Sequence, residues 1–404
     1  MTVATVPRPQ VAPARLGGGE RARVMVVFGT RPEAVKMAPV VQRLRDADDF
    51  EPVVVVTGQH REMLDQVTRL FGIVPDYDLD IMLPEQSLVD IVTRALPGLD
   101  RVLREVRPAL VLVQGDAHTT FVAALAAYYH RIPVGHVEAG LRTHDKYQPF
   151  PEEMNRRMTT VLADLHFAPT PRARDNLLAE GVPPRSIFVT GNTVIDALQQ
   201  VAARTDLALP PGLPPLEGRR LLLVTTHRRE NWGEPLREIY LALRDVLDRF
   251  ADTVLVFSVH PNPAVRRMVH EILAGQPRAH LIEPPDYGPW VMLMRRAYLI
   301  LTDSGGIQEE ATALGRPTLV LRRVTERPEG IEAGVLRLVG TDRTRIVEEA
   351  SRLLMDAAAY QAMATARNPF GDGRAAERIV QALRYYGGRR SRPPEEFMGE
   401  GSIR

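Results

Sequence analysis

The hydrophobic positions of this chain fall into short apolar runs that are separated by helical patterns. Residues 24–29 form such a run, which ends in Gly29 and is followed by Thr30, Pro32 and Glu33. This order is typical of a strand, a tight turn and a helix start, because Thr caps a helix, Pro suits its first turn and an acid favours its N-terminus. Repeated units of this kind predict parallel strands joined by helices.

The same unit recurs in two groups along the chain. Predicted strands lie at 24–29, 52–57, 110–113 and 133–137, and then at 221–225, 254–259, 280–282, 299–302 and 318–321. A helical pattern at 192–200 and a proline-rich linker at 210–215 separate the two groups. We therefore predict an α/β fold of two Rossmann-like, doubly wound domains whose strand carboxyl ends face a central cleft.

Composition defines the expected ends of these domains. The first and last stretches, 1–21 and 387–404, are rich in Gly, Pro and Arg and predict disordered tails. We expect the first domain at 22–190 and the second at 191–373.

Charge and residue usage exclude several classes of protein. The 51 basic and 50 acidic residues give a net charge of +1, which does not favour nucleic acid or a membrane surface as partner. The absence of Cys excludes disulfides and thiolate metal sites. Because no apolar run is long enough to span a membrane and no signal peptide is present, we expect a cytoplasmic protein. Lys36 and Lys146 are the only lysines, and all other residues of the basic count are Arg. This bias suggests that the two lysines meet a specific need for an ammonium group.

In the second predicted domain, small residues and histidines follow the strands. Ser304, Gly305 and Gly306 stand at a helix start, where free N–H groups suit a diphosphate, although an ordinary capped turn has the same pattern. Glu310, about one turn later, could bind ribose hydroxyls. His227 and His260 each follow a strand, where a donor to a phosphate is expected.

In the first predicted domain, carboxylates take these positions. Asp116, Glu138 and Glu152 follow strands or begin a helix, and could act as general acid and base if burial separates their pKa values; helix capping and ion pairing are the alternative. Arg31 and Lys36 add positive charge to the same edge. The pair His136 and Glu138 has no third metal ligand nearby, and no G-x-G-x-x-G follows a strand, so neither a metal nor a nicotinamide cofactor is predicted.

Several longer motifs resemble those of the non-hydrolysing UDP-N-acetylglucosamine 2-epimerases. They are F-G-T-R-P-E-A-V-K-M-A-P at 28–39, T-G-Q-H-R-E-M-L-D-Q at 57–66, G-H-V-E-A-G-L-R-T at 135–143, P-E-E-M-N-R-R at 151–157, G-N-T-V-I-D-A-L at 191–198, H-R-R-E-N at 227–231, D-S-G-G-I-Q-E-E at 303–310 and T-E-R-P-E at 325–329. The resemblance covers residues 24–385. It implies a GT-B type fold with a C-terminal helix, about 374–386, that rejoins the first domain, a homodimer, and no metal or redox cofactor.

The resemblance also implies a reaction and roles for individual residues. UDP-N-acetylglucosamine and UDP-N-acetylmannosamine would interconvert by anti elimination of UDP through 2-acetamidoglucal. The implied catalytic residues are Asp116, Glu138, Glu152, His227 and Lys36. The implied substrate ligands are Arg31, Trp290 beside uracil, Ser304, Gly305, Gly306 and Glu310. A second UDP-N-acetylglucosamine would bind as an allosteric activator at Gln59, Glu62, Arg228 and His260.

Two loops depart from the family pattern. The usual G-D-T-T-T-T contains Ala117 and His118 here, and the usual R-D-T-T-E-R-P-E contains Arg323 and Val324, so sugar specificity could differ. Glu85 stands where some members have an Arg for the activator, which leaves activation open. A hydrolysing epimerase, a GT-B glycosyltransferase and a catalytically inactive sugar-nucleotide sensor are the alternatives. Retention of all three carboxylates argues against the sensor.

Overall fold

The structure is a computed structural model that describes residues 21–58, 61–83 and 86–399. The chain forms two compact units. Unit 1 contains the described residues up to Thr193 together with Arg374–Phe397, and unit 2 contains Val194–Gly373. The predicted tail 1–21 falls almost wholly outside the described residues, as do Gln59 and Glu85.

Unit 1 is built on a parallel sheet with helices around it. Its described strands are β1 (Ala22–Phe28), β2 (Phe50–Val56), β3 (Tyr77–Asp78), β4 (Leu110–Gln114), β5 (Val134–Val137), β6 (Leu165–Ala168) and β7 (Ile187–Val189). Their order in the sheet is β3-β2-β1-β4-β5-β6-β7. The chain reverses its direction of winding between β1 and β4, and ligands bind at such a switch point in doubly wound folds.

Some helices of unit 1 begin at capping side chains. They are α1 (Arg31–Arg45), α2 (Arg61–Leu70), α3 (Leu88–Val106), α4 (His118–Tyr129), α5 (Glu152–Leu162) and α6 (Pro171–Ala179). Thr30 and Glu33 form a capping box at α1, as do Ser87 and Asp90 at α3. Two cis peptide bonds, Gln148-Pro149 and Phe150-Pro151, precede α5.

Unit 2 repeats the architecture with one strand fewer in its described part. After α7 (Thr193–Ala202), its strands are β8 (Arg220–Thr226), β9 (Thr253–Val259), β10 (Ala279–Ile282), β11 (Leu299–Thr302), β12 (Thr318–Val320) and β13 (Leu336–Leu338). Its later helices are α8 (Glu234–Arg249), α9 (Pro263–Leu273), α10 (Tyr287–Arg296), α11 (Gly305–Ala313), α12 (Pro328–Glu332), α13 (Arg343–Met355) and α14 (Ala357–Ala364), and α15 (Ala375–Tyr386) belongs to unit 1. The sheet order is β10-β9-β8-β11-β12-β13, which again places a switch point between the first strand and the fourth.

The core of each unit lies between its sheet and its helices. Met25, Val27 and Val111 of the unit 1 strands pack with Leu99 of α3, while Leu222 and Phe257 of unit 2 pack with residues of α8. Both faces of these strands are covered, which explains why the runs are continuously apolar rather than alternating. The predicted class, two Rossmann-like parallel sheets with flanking helices, is confirmed. None of the described helices combines the length and apolarity that a membrane crossing needs.

Part of the C-terminal segment for which composition predicts a disordered tail, 387–404, contacts unit 1. Residues 387–399 have no helix or strand, and those up to Phe397 belong to unit 1. The Phe397 N–H donates to the Val189 carbonyl oxygen at 2.8 Å, and the Phe397 side chain is buried. The buried Arg378 guanidinium donates to the Thr190 and Glu395 carbonyl oxygens, both at 3.1 Å. Composition alone does not predict these contacts, because single contacts in a Pro- and Arg-rich stretch leave no periodic pattern.

Candidate functional site

A buried carboxylate, Glu138, lies at the carboxyl end of β5 in unit 1. The Lys36 ammonium is 2.5 Å from Glu138 Oε1, and Asn192 Nδ2 donates to the same oxygen at 2.9 Å. The Gln114 side-chain amide donates to Oε2. Lys36, Gln114 and Asn192 come from α1, β4 and the loop after β7, so the topology brings three separate segments to one carboxylate.

The backbone at this carboxylate is unusual. Glu138 has a φ of +64°, in the left-handed region that residues other than Gly rarely adopt. Gly115, at the end of the neighbouring strand β4, has a φ of +70° and faces the Glu138 carboxylate. Backbone strain of this kind concentrates at functional sites, where the surrounding structure compensates for it.

A second carboxylate, Asp116, is more accessible. Its side chain is 32% exposed, against 6% for Glu138. The Arg156 guanidinium donates to Asp116 Oδ2 at 2.6 Å, and Asn155 Nδ2 donates to the Asp116 carbonyl oxygen at 2.9 Å. Both partners lie on α5, so the first turns of this helix are held beside the end of β4.

The third predicted carboxylate, Glu152, is the first residue of α5. It stands on the same helix as Arg156, the partner of Asp116. Its neighbour Glu153 is fully buried and accepts from the backbone N–H groups of Thr143 and His144. Glu153 therefore orders the preceding loop.

The first two turns of α1 carry two of the predicted cationic site residues. Arg31 is the first residue of the helix, and Lys36 is in its second turn. Beneath them, the fully buried Glu33 accepts from the N–H groups of Gly29 and Thr30 and from the Thr30 and Thr120 hydroxyls. Burial raises the pKa of Glu33 to about 7, although each of these hydrogen bonds lowers it.

His136 and Glu138 are the pair that the sequence analysis tested as metal ligands. No third metal ligand lies beside them among the described residues. His136 Nε2 is 2.7 Å from the Gly115 carbonyl oxygen, and burial lowers the pKa of the ring to about 4. Among the residues that the structure describes, no three His, Asp or Glu side chains are grouped as metal ligands.

In unit 2, His227 follows β8 and lies over a buried aspartate. Asp303 Oδ1 is 3.3 Å from His227 Nδ1, and its carboxylate accepts from the N–H groups of His227 and Arg228. Asn231 Nδ2 donates to the same carboxylate at 3.2 Å. Burial lowers the pKa of His227, while the Asp303 charge opposes that shift.

The predicted diphosphate loop begins α11. Ser304 is the N-cap residue, and its side chain makes no capping hydrogen bond. An added Cβ at Gly306 would meet nothing within 4 Å, whereas one at Gly305 would lie 2.5 Å from the Arg327 guanidinium. The helix N-terminus therefore combines open space, free backbone N–H groups and a nearby cation, which suits an anion.

The two residues predicted to bind the nucleoside also belong to unit 2. Glu310, in α11, is buried and accepts from the Tyr287 hydroxyl at 2.6 Å. Trp290, in α10, is 6% exposed.

The residues expected to bind an activator are only partly described. Gln59 lies outside the described residues, and Glu62 is in α2. Arg228 donates its N–H to Asp303, and His260 follows β9, where its Nδ1 accepts from the Asn262 N–H at 3.2 Å. His260 and Arg228 both lower the pKa of His227, so the three are neighbours.

The departures from the family motifs fall in two different settings. Ala117 is the N-cap residue of α4 and offers no side-chain cap, and burial lowers the pKa of the adjacent His118. Arg323 and Val324 are exposed after β12.

Sequence reasoning missed the residues that hold the predicted ones in place. Gln114, Arg156, Asn192 and Asp303 were not predicted as site residues, although each contacts one. A signal existed for three of them, since Arg156, Asn192 and Asp303 lie inside the motifs quoted above. Their partners are 40, 54 and 76 residues away, and no local pattern gives such pairings.

Comparison with known proteins tests the family resemblance. The sequence model of the family described as UDP-N-acetylglucosamine 2-epimerase matches residues 42–384. The UDP-N-acetylglucosamine 2-epimerase of Escherichia coli K12 is 55% identical over 371 residues, which are 90% of this chain and 98% of that protein. The enzyme of the same name from Bacillus subtilis is 50% identical over 381 residues, 94% of this chain and 100% of that protein.

A solved structure agrees with these matches. The UDP-GlcNAc 2-epimerase of Neisseria meningitidis, bound to UDP-GlcNAc, has a TM-score of 0.82 and 46% identity, with 89% of this chain and 99% of that chain covered. The resemblance inferred from the motifs is thus confirmed. The chain belongs to the UDP-N-acetylglucosamine 2-epimerase family.

Proposed function

We propose that the protein interconverts UDP-N-acetylglucosamine and UDP-N-acetylmannosamine by elimination and re-addition of UDP. A carboxylate removes the C2 proton, the C1–O bond to UDP breaks, and a C1–C2 double bond forms to give 2-acetamidoglucal. UDP then adds back to C1 while a proton reaches C2 from the opposite face. The observation that carries the proposal is the grouping of Lys36, Glu138 and the Asp116–Arg156 pair at neighbouring strand ends of unit 1.

The environments of the carboxylates suggest different roles. Asp116 is the more exposed and has one cationic partner, so we assign it the proton transfer at C2. Glu138 is enclosed by Lys36 and two amides, which suits a charge that orients and stabilises rather than one that reacts. Glu152, on the helix that carries the partner of Asp116, is proposed to serve the second face of C2.

Unit 2 supplies the groups proposed to hold UDP. The diphosphate would lie at Ser304, Gly305 and Gly306, where the helix dipole and free N–H groups favour an anion. His227, oriented by Asp303, would donate to the departing diphosphate. Glu310 would bind the ribose and Trp290 would lie beside uracil. Arg31 is proposed as a further ligand of the substrate.

We also propose a homodimer and a second, activating UDP-N-acetylglucosamine. Arg228 and His260 support the activator site because they are cationic or polar neighbours of His227. Activation that survives the Arg228→Ala substitution would argue against this assignment.

Proton NMR in heavy water with UDP-N-acetylglucosamine alone tests the reaction. The expected result is UDP-N-acetylmannosamine with deuterium at C2 of both sugars. Free N-acetylmannosamine with UDP would indicate a hydrolysing epimerase. Turnover that requires an added acceptor would indicate a glycosyltransferase, and either result would overturn the proposal.

A further inference from the structure

An arginine-lined cavity of about 560 Å³ lies at the carboxyl ends of β12 and β13 in unit 2. Arg322, Arg323, Arg337 and Arg345 line it, and Leu336 and Met363 form part of an apolar wall. None of the residues assigned to UDP above lines this cavity. Its volume falls within the range that small-molecule sites occupy.

The four guanidinium groups are not equally neutralised. Arg322 is paired with Glu230 and Glu326, both at 2.7 Å, and Arg337 with Glu349 at 3.1 Å. In the part of the chain that the structure describes, no carboxylate lies within 4.0 Å of the Arg323 or Arg345 guanidinium.

Arg345 is held in place without losing its charge. Its guanidinium donates to the Leu338 carbonyl oxygen at 2.9 Å, and its backbone N–H donates to Asp342, the N-cap residue of α13. Arg323 is exposed. The cavity thus carries two unpaired cations beside an apolar wall, a combination that suits an anion attached to an apolar body.

We propose that this cavity binds a phosphorylated small molecule, with its phosphate on Arg323 and Arg345 and its apolar part against Leu336 and Met363. The site is separate from the proposed UDP site, although Arg322 links it through Glu230 to the loop that carries His227. Guanidinium groups bind phosphate oxygens in a fork geometry, and each charged hydrogen bond contributes enough to change affinity about tenfold.

Calorimetric titration of the full-length, UDP-saturated protein with phenyl phosphate tests the proposal. We expect one phenyl phosphate per chain and weaker binding of inorganic phosphate, which lacks the apolar part. The Arg323→Asp variant should bind phenyl phosphate at least about tenfold more weakly. The matched control is Arg267→Asp, an exposed arginine of α9 in the same unit, which should leave binding unchanged.

Three outcomes would overturn the proposal. These are no binding to the wild-type protein, equal losses in the two variants, and equal affinity for phenyl phosphate and inorganic phosphate, which would indicate a site for free phosphate. Failure of UDP itself to bind would contradict the proposed function, yet the comparison of the two variants would still decide this inference. A Met363→Ala variant should weaken phenyl phosphate binding and spare inorganic phosphate.

Discussion

Each unit has a buried carboxylate at the end of a central strand, but the two are bound differently. Glu138 of unit 1 is contacted by three side chains, Lys36, Gln114 and Asn192. Asp303 of unit 2 accepts mainly from backbone N–H groups of one loop. Side-chain partners can shift as a substrate binds and charge moves, whereas backbone partners fix the path of the chain.

We propose that this difference separates a reacting site in unit 1 from a supporting one in unit 2. In unit 1 the strand ends carry acidic side chains that remain near solvent or near a cation. In unit 2 the buried acid holds a loop, and the loop presents His227. The two carboxylates follow different strands of the shared order, β5 in unit 1 and β11 in unit 2. Strand ends of two similar folds therefore carry unlike chemistry, which fold alone does not predict.

The largest expected effect is on turnover in unit 1. Asp116→Asn should lower kcat about a thousandfold, because general acid–base catalysis contributes that much. It should lower the free energy of unfolding by less than Glu138→Gln does, because Asp116 is 32% exposed and Arg156 keeps Glu153 as a partner. Glu138→Gln should lower kcat and also lower the free energy of unfolding by about 3 kcal/mol, because it breaks a buried ion pair with Lys36. NMR assays of epimerisation and urea unfolding measure the two effects.

Asp175→Asn, an exposed carboxylate of the same unit, is the control and should change neither quantity. Unaltered turnover in Asp116→Asn would remove this residue from the proposed chemistry. Equal stability losses in the two variants would erase the distinction drawn between the carboxylates.

The sequence predicted where several strands end and which site residues follow them. It missed four strands and the contacts made by Asp303. Strand ends located Asp116, Glu138 and His227, because apolar runs that stop at polar residues mark the edge of a parallel sheet. The short strands β3, β6, β7 and β13 were missed, and three of them, β3, β7 and β13, are edge strands of their sheets. Asp303 looked like part of a phosphate loop, and only the folded chain shows that it anchors residues 227–231.

A smaller effect is expected from Asp303→Asn in unit 2. The amide presents a donor to the His227 and Arg228 N–H groups, so at least one hydrogen bond is lost in a buried setting. We expect a loss of about 2 to 3 kcal/mol in the free energy of unfolding. Weaker UDP binding should accompany it, measured by calorimetry. Asp248→Asn, on the exposed side of α8, is the control, and equal losses in both variants would contradict the anchoring role.

The smallest expected effect concerns Glu33 of unit 1. Its carboxylate accepts hydrogen bonds both from backbone N–H groups and from side-chain hydroxyls. Its pKa is about 7 in the folded chain and 4.5 ordinarily, so the folded state binds the proton more tightly. Stability from this group is therefore fully present below pH 4.5 and falls as the pH rises through 7, by about 2 kcal/mol between pH 5 and pH 7. Glu33→Gln should remove that slope, while the exposed Glu348→Gln should keep it. Urea unfolding across this pH range measures both, and identical slopes in the two variants would show that Glu33 is already ionised in the folded protein.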